Sequence, residues 1–250
     1  MQEKSSALSK KAETIILDRA KDRLVDIVYR ADNADDFAKI ARDKLNYFYE
    51  NLVFSALDLD VRKGRMLDLG TQFGLCALAL AKQDYAFDIT SLQDSVKLVS
   101  LAKQLAEKDM VEEKIKWLMG RQDALPFDDH TFDLVISGFD MHHWENPVEA
   151  FNEIERVTKA NGAILIADLR RDAFSAMAPL VKAVSMLAKK GRLYEEMKHS
   201  FRASYSRSEV AELLESSSLK GCGTSKDAQF VYVMRRRESK KHVMVEFSRP

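Results

Sequence analysis

The chain has 250 residues, with 39 Lys and Arg against 39 Asp and Glu, so its formal net charge is zero. A neutral chain disfavours broad electrostatic binding to nucleic acid or an anionic membrane. Apolar residues make up 46%, which excludes a disordered chain. Nine glycines and four prolines, against about 30 expected from average usage, exclude collagen-like and turn-rich all-β folds and favour long helices. Two cysteines, Cys76 and Cys222, cannot build a disulfide framework or a four-thiolate zinc site. The start lacks an apolar signal core, and no stretch approaches the ~20 apolar residues of a membrane span. The expectation is a soluble, cytoplasmic protein.

The first 57 residues read as helices. Ile15, Ile16, Leu24, Ile27 and Val28 set apolar residues at helical spacing. Asp32-Asn33 offers a break and a cap, and a second helix runs through Phe37, Ile40, Leu45, Phe48, Leu52 and Leu57. From Arg65 the pattern changes. Apolar runs at Met66–Leu69, Phe87–Leu92, Ile115–Met119, Phe132–Ser137 and Ala163–Asp168 alternate with helical segments at about Leu75–Lys82, Ser95–Glu107 and Pro147–Lys159. Asn161-Gly162 reads as a helix stop. This alternation predicts an α/β fold, a doubly wound and mostly parallel sheet with helices on both faces. Residues 172–200 then read as helical, and Ser206–Glu215 as another helix, with Ser208 and Glu209 suited to its start. Leu219–Cys222 and Phe230–Met234 read as two final strands. The expected division is an N-terminal helical segment, 1–60, and a core, 61–250, with a helical cap inserted at about 172–205.

The informative segment is Met66-Leu67-Asp68-Leu69-Gly70-Thr71-Gln72-Phe73-Gly74, a strand, a tight turn and a helix start. In such sheets ligands bind outside the carboxyl ends of the strands, where the strand order reverses. Gly70, with no Cβ, would let the backbone approach a ligand, and Gly74 would let the helix lie close to the strand. A second informative stretch runs from Gly120-Arg121-Gln122-Asp123-Ala124-Leu125-Pro126-Phe127-Asp128 through Phe132–Ser137 to Met141-His142-His143-Trp144-Glu145-Asn146-Pro147.

On these residues, from about Arg65 to Asp172, the sequence resembles the class I S-adenosylmethionine-dependent methyltransferases, especially the ubiquinone/menaquinone-biosynthesis type. The resemblance implies a seven-stranded Rossmann-like sheet with a reversed final hairpin, and S-adenosylmethionine as cofactor. It implies that Asp68, Gly70, Thr71, Gln72 and Gly74 embrace the methionine part. Asp123, with Ala124 beside it, would accept from the adenine amine, and Ser137 would pass near the sulfonium. Two departures stand out. Gln72 replaces the middle glycine of the family's turn, and would be strained if that position needs positive φ. Gln93 stands where the family places the acid that pairs with the ribose hydroxyls, unless a one-residue shift brings Asp94 there. A hydrogen bond to a charged group contributes roughly 1.5–3 kcal/mol and a neutral one about 0.5–1.5, so Gln93 would weaken binding without abolishing it.

Methyl transfer from a sulfonium is an in-line displacement in which the protein aligns the nucleophile, excludes water and, where needed, takes a proton. His142 or His143 could be that base, or the pair could simply pack. No metal site is expected. Arg170 or Arg171 could bind a substrate anion, or pair with Asp168 and Asp172. The cap carries Phe174, Met177, Tyr194, Met197 and Tyr205. These could line a pocket for an apolar or planar substrate, with Tyr194 and Tyr205 as contacts, or could be core. Tyr47, Phe48 and Tyr49 divide the same way, since their helix could close the cofactor pocket. Arg235 to Lys241, five cations in seven residues, reads as a site for RNA or an acidic partner, or as a solvated end. Cys76 reads as core, and Cys222 has no visible partner. The expected activity is methyl transfer to a small-molecule acceptor, with no membrane partner, nucleic acid disfavoured, and a homodimer left open. The competing reading, motivated by Gln72 and Gln93, is a non-catalytic binding or regulatory protein on the same fold.

Overall fold

The computed structural model describes residues 9–32, 46–83, 85–173, 179, 198–219, 222–224 and 230–235. Two helices come first, α1 (Lys10–Asp32) and α2 (Asn46–Leu57). Ser9 opens α1, its hydroxyl accepting from Ala12 N at 3.1 Å. Along α2, Tyr49, Leu52, Val53, Ala56 and Leu57 are buried, a stripe at three- and four-residue spacing that faces the core. The helix then turns out through Asp60, whose φ is +68°.

The sheet follows: β1 (Lys63–Leu69), β2 (Ala86–Gln93), β3 (Ile115–Met119), β4 (Phe132–Gly138), β5 (Thr158–Leu169), β6 (Gly223–Thr224) and β7 (Phe230–Arg235). Six of these have five residues or more, and β6 is a two-residue edge. Their order is β3-β2-β1-β4-β5-β7-β6. The first five are mutually parallel, and β7 runs antiparallel to β5 and β6. Between them lie α3 (Leu75–Ala81), α4 (Val96–Lys108), α5 (Pro147–Val157) and α6 (Arg207–Glu215).

Alternation along each strand divides the core in two. Met66, Ile89, Leu134, Ile136, Leu165 and Ala167 face one layer, with α2, α3 and Ala102, Leu105 and Ala106 of α4. Leu67, Leu69, Leu92, Val135, Ile164, Ile166 and Val233 face the other, with α5, α6 and the start of α1. Both faces of the parallel strands are covered, which explains their nearly unbroken apolar runs.

Several expected boundaries move. Helix α5 ends at Val157 rather than Lys159, and Thr158 already pairs with Phe132 across the sheet. The backbone N–H groups of His130 and Thr131 take the carbonyls of Arg156 and Val157 at 2.9 and 2.8 Å, which draws the chain out of the helix early. Asn161-Gly162 therefore lies inside the irregular start of β5. A Cβ on Gly162 would stand 2.7 Å from the Thr158 methyl and 3.0 Å from Phe132 O. Helix α6 is capped by Ser206, not Ser208. The Ser206 hydroxyl accepts from Glu209 N, and the Glu209 carboxylate accepts from Ser206 N at 2.6 Å, a capping box. Leu219 is buried, Cys222 N donates to Leu219 O at 3.4 Å, and the edge strand begins at Gly223. The expected helix over 172–200, and Phe37, Ile40 and Leu45, fall largely outside the described residues. Among the described residues no helix is long and apolar enough to cross a membrane.

Candidate active site

The order of strands reverses between β1 and β4: the chain winds outward to β2 and β3 on one side, then to β4 and β5 on the other. A crevice at such a point is where open α/β sheets bind ligands. Three strand ends build it.

Asp68, next to last in β1, is fully buried. Its carboxylate accepts from the Thr71 hydroxyl, from Ser91 Oγ at 3.0 Å and from Ala77 N, in α3, at 3.3 Å. Burial raises its pKa to about 7, the three hydrogen bonds pulling the other way. Ser91 lies directly opposite Asp68 in the β1–β2 register. Two residues on, and so on the same face, Gln93 is fully buried and its Nε2 donates to Ser91 Oγ at 3.0 Å. A directed chain results, Gln93 to Ser91 to Asp68. Gln93 Oε1 and, at the end of β4, Ser137 Oγ are buried without a hydrogen-bond partner among the described residues. An unmet buried acceptor costs about 1–3 kcal/mol, so each marks a place where a ligand atom would be welcome. Asp94 is exposed at the strand end.

The turn after β1 answers the question raised by Gln72. Left-handed backbone occurs at Gly70 (φ +70°), Phe73 (+59°) and Gly74 (+68°) and not at Gln72. The absent middle glycine is therefore no backbone defect; the Gln72 side chain lies outside the described part. Gly70 and Gly74 each have a close neighbour. A Cβ on Gly70 would sit 2.0 Å from Asp140 Oδ2, and one on Gly74 would sit 2.5 Å from the Trp117 ring. The close approach at Gly70 is made by the loop after β4, and at Gly74 by β3.

Asp123 does not present a free carboxylate. Arg121 grips it in bidentate fashion at 2.9 and 2.7 Å and also reaches Glu145 at 3.0 Å, which holds the Asp123 carboxyl below its usual range. Ala124 is exposed. Asp123, Arg121 and Glu145 border a cleft of about 340 Å³ whose other wall is Glu13, Ile16 and Leu17 of α1. The Leu125–Asp129 connection is tied to α5 by Arg156, which donates to Phe127 O at 2.7 Å and Leu125 O at 3.0 Å, and by Glu153, which accepts from Leu125 N at 2.7 Å.

The β4 and β5 ends are locked together. His142 is buried, its Nδ1 2.7 Å from Asp168 Oδ1 and its backbone N–H 2.8 Å from Asp168 Oδ2. Leu169 N also donates to Asp168 at 2.7 Å. The His143 ring lies over His142 with centroids 4.0 Å apart, and its Nδ1 is 3.5 Å from Asp140 Oδ1. Phe139, at the β4 end, has φ +56° and packs its ring on Phe48 and Tyr49 of α2, at 4.5 and 5.7 Å between centroids. Two of the three N-terminal aromatics thus stand at the crevice, while Tyr47 is 76% exposed. Arg170 is held by Asp172 at 3.2 and 2.6 Å. Arg171 is held by Glu209 and Ser204 O. Tyr205 is buried, which pushes its hydroxyl up to about 12, with Arg23 alongside opposing the shift. Tyr194, Phe174, Met177 and Met197 of the cap, with Arg236 to Lys241, lie outside the described residues. Cys76 is buried in α3 as expected, and burial raises its thiol too. Sequence reasoning missed Ser91, Asp140 and the anchoring role of Asp168. Strand alternation would have paired Ser91 with Gln93; nothing local marks the other two.

A mostly parallel α/β sheet with a glycine turn and a buried acid at its switch point defines a Rossmann-like fold. Residues 67–166 match the family model of the methyltransferase domain. A demethylmenaquinone methyltransferase of Lactiplantibacillus plantarum is 31% identical over 120 residues, 48% of this chain and 49% of that one. A solved S-adenosyl-L-methionine-dependent methyltransferase of Methanococcus maripaludis, itself assigned provisionally, superposes with a TM-score of 0.68 at 18% identity, over 86% of this chain and 96% of that one. The plantazolicin methyltransferase BamL, solved with a desmethyl substrate analogue and S-adenosylhomocysteine, superposes with a TM-score of 0.66 at 16% identity, over 85% and 79%. The chain spans between 26% and 57% of the length of the first curated relatives it matches. Residues 67–166 thus carry a methyltransferase-domain match, and the chain is similar in fold to S-adenosylmethionine-dependent methyltransferases.

Proposed function

We propose that this chain moves a methyl group from S-adenosylmethionine to a small-molecule acceptor by in-line displacement. The observation that supports it most is the Asp68–Ser91–Gln93 chain, which ends on a buried, unmet acceptor at the switch point. Bound there, the cofactor would supply a methyl carbon already activated by its sulfonium.

The residues present fit that group. Gln93 Oε1 would accept from a ribose hydroxyl, its amide oriented because Nε2 is committed to Ser91. The Asp68–Gly74 turn would hold the methionine part, with Thr71 fixed by its bond to Asp68, and Ser137 would face the reacting end. Asp123 would meet the adenine amine with the lone pairs that Arg121 leaves open, with Ala124 and Asp94 at the rim. Phe139, Phe48 and Tyr49 would exclude water from the reaction centre. Asp168 holds His142 in one orientation, and His143, tilted against it, would take a proton from the acceptor where one must leave. Arg170 and Arg171, each in an ion pair, serve to hold the loop after β5, and Tyr205 packs beneath it.

The test is a transfer assay with methyl-tritiated S-adenosylmethionine and a panel of phenols, quinols, amines and carboxylates. Label in the organic extract of one acceptor class is expected. A folded protein that binds neither S-adenosylmethionine nor S-adenosylhomocysteine overturns the reading.

A further inference from the structure

Asp140 is a buried carboxylate, 6% exposed, in the loop after β4. Its Oδ2 accepts from Trp144 Nε1 at 2.7 Å and from Gln122 Nε2, in the connection after β3, at 3.2 Å. Its Oδ1 has a more distant neighbour, His143 Nδ1 at 3.5 Å. Among the described residues no Lys or Arg pairs with it. A carboxylate offers about four lone-pair sites, so Oδ1 keeps room for a donor. A buried carboxylate without a full counter-charge is expensive, and this one is tolerated where three loops of the crevice converge.

Its position relative to the cofactor turn is close. A Cβ on Gly70 would lie 2.0 Å from Oδ2 and 3.1 Å from Oδ1, so the carboxylate rests against the turn that follows Asp68. Gly70 N is bonded to Leu92 O at 2.9 Å, and Gly120 N to Gln93 O at 3.0 Å, which brings the ends of β2 and β3 to the same place. Gln93 there carries no charge.

We propose that Asp140 supplies the acid of the cofactor pocket in this chain: it stands over Gly70 from the β4 side and gives a hydroxyl or amine donor of the adenosyl group the negative charge that Gln93 lacks. The inference rests on the cofactor reading above. The ligand class is a nucleoside with a cationic side arm, and two acids, Asp68 and Asp140, set the field around it. The carboxylate is a binding residue and moves no proton in the reaction.

The experiment is calorimetry on the full chain with S-adenosylmethionine and S-adenosylhomocysteine, beside thermal melting without ligand. Asp140→Asn keeps an oxygen for Trp144 and removes the charge. It is expected to weaken both ligands about tenfold, and adding Gln93→Asp to it is expected to restore most of the loss. Gln93→Asp alone should gain less than about threefold, because the acid is already supplied. Asp140→Asn that binds as the wild type does, or more tightly, overturns the proposal and leaves Asp140 a tie between loops, with the cofactor reading intact. Should Asp140→Asn fail to fold, a tenfold or greater gain from Gln93→Asp alone overturns it equally. A folded wild type that binds neither ligand removes both readings.

Discussion

The two halves of the crevice differ in how fully their polar groups are met. At the ends of β1 and β2, a chain of donors runs inward to Asp68 and stops on Gln93 Oε1, which is left open. At the ends of β4 and β5, Asp168 collects two backbone donors and an imidazole, so that the His142 ring is fixed. The first half is built to receive; in the second, Asp168 holds, while Ser137 Oγ at the end of β4 also stays unmet. A receiving site keeps an unmet acceptor and pays for it in stability, whereas a holding site spends its groups on one another.

The largest effect should come from breaking the held half. Asp168→Ala removes three bonds to one buried carboxylate, and truncating such a partner is expected to destabilise the fold by about 3 kcal/mol, read as a lowered urea midpoint with an unchanged slope. An unchanged midpoint would mean that the two halves are alike.

Next in size is a pH effect at the receiving half. The Asp68 pKa, raised to about 7 by burial, lies above the value near 3.9 of an unfolded Asp. Its contribution to stability is therefore fully present below about pH 4 and is lost as the pH rises towards 7. The difference in unfolding free energy, wild type minus Asp68→Asn, should fall through that window with a limiting slope of about 1.4 kcal/mol per pH unit. Taking the difference matters, because Asp123, Glu153, Asp172 and Glu209 are shifted downward and lose their contributions as the pH falls. A flat difference would show that water reaches Asp68.

Gln93→Leu sharpens the comparison from the other side. It removes an open acceptor together with one neutral hydrogen bond, so the melting temperature should move little. Affinity for S-adenosylhomocysteine should drop about tenfold, and calorimetry beside melting separates the two. The smallest effect is expected at Arg170→Ala, which breaks a partly exposed ion pair with Asp172. Stability should change by no more than about 1 kcal/mol; a raised KM for the acceptor with unchanged cofactor affinity would return Arg170 to the substrate.

Much of the fold was legible because its signals are local. The runs at Met66, Phe87, Phe132 and Ala163 belong to strands whose ends at the crevice are buried on both faces, which favours apolar side chains, while the edge strand at Ile115 is only partly buried. Gly74, Ser95 and Asn146 act at the starts of α3, α4 and α5 within a turn of themselves. The misplaced boundaries had non-local causes. The stop of α5 at Val157 is imposed by His130 and Thr131, about 27 residues away in sequence, and the delayed edge strand by the core that takes Leu219.

By itself, then, the sequence determined the alternation of strands and helices, the glycine turn after β1, and the methyltransferase-like motifs that surround it. Those features are set by period, by backbone sterics and by short spacing. Only the tertiary structure decided which polar side chains meet. It put positive φ at Phe73 instead of Gln72, engaged Asp123 with Arg121, set Asp140 against Gly70 and tied His142 to Asp168. A carboxylate can satisfy its lone pairs with any donor that the packing brings within about 3 Å, and the packing that selects the donor is a property of the whole sheet.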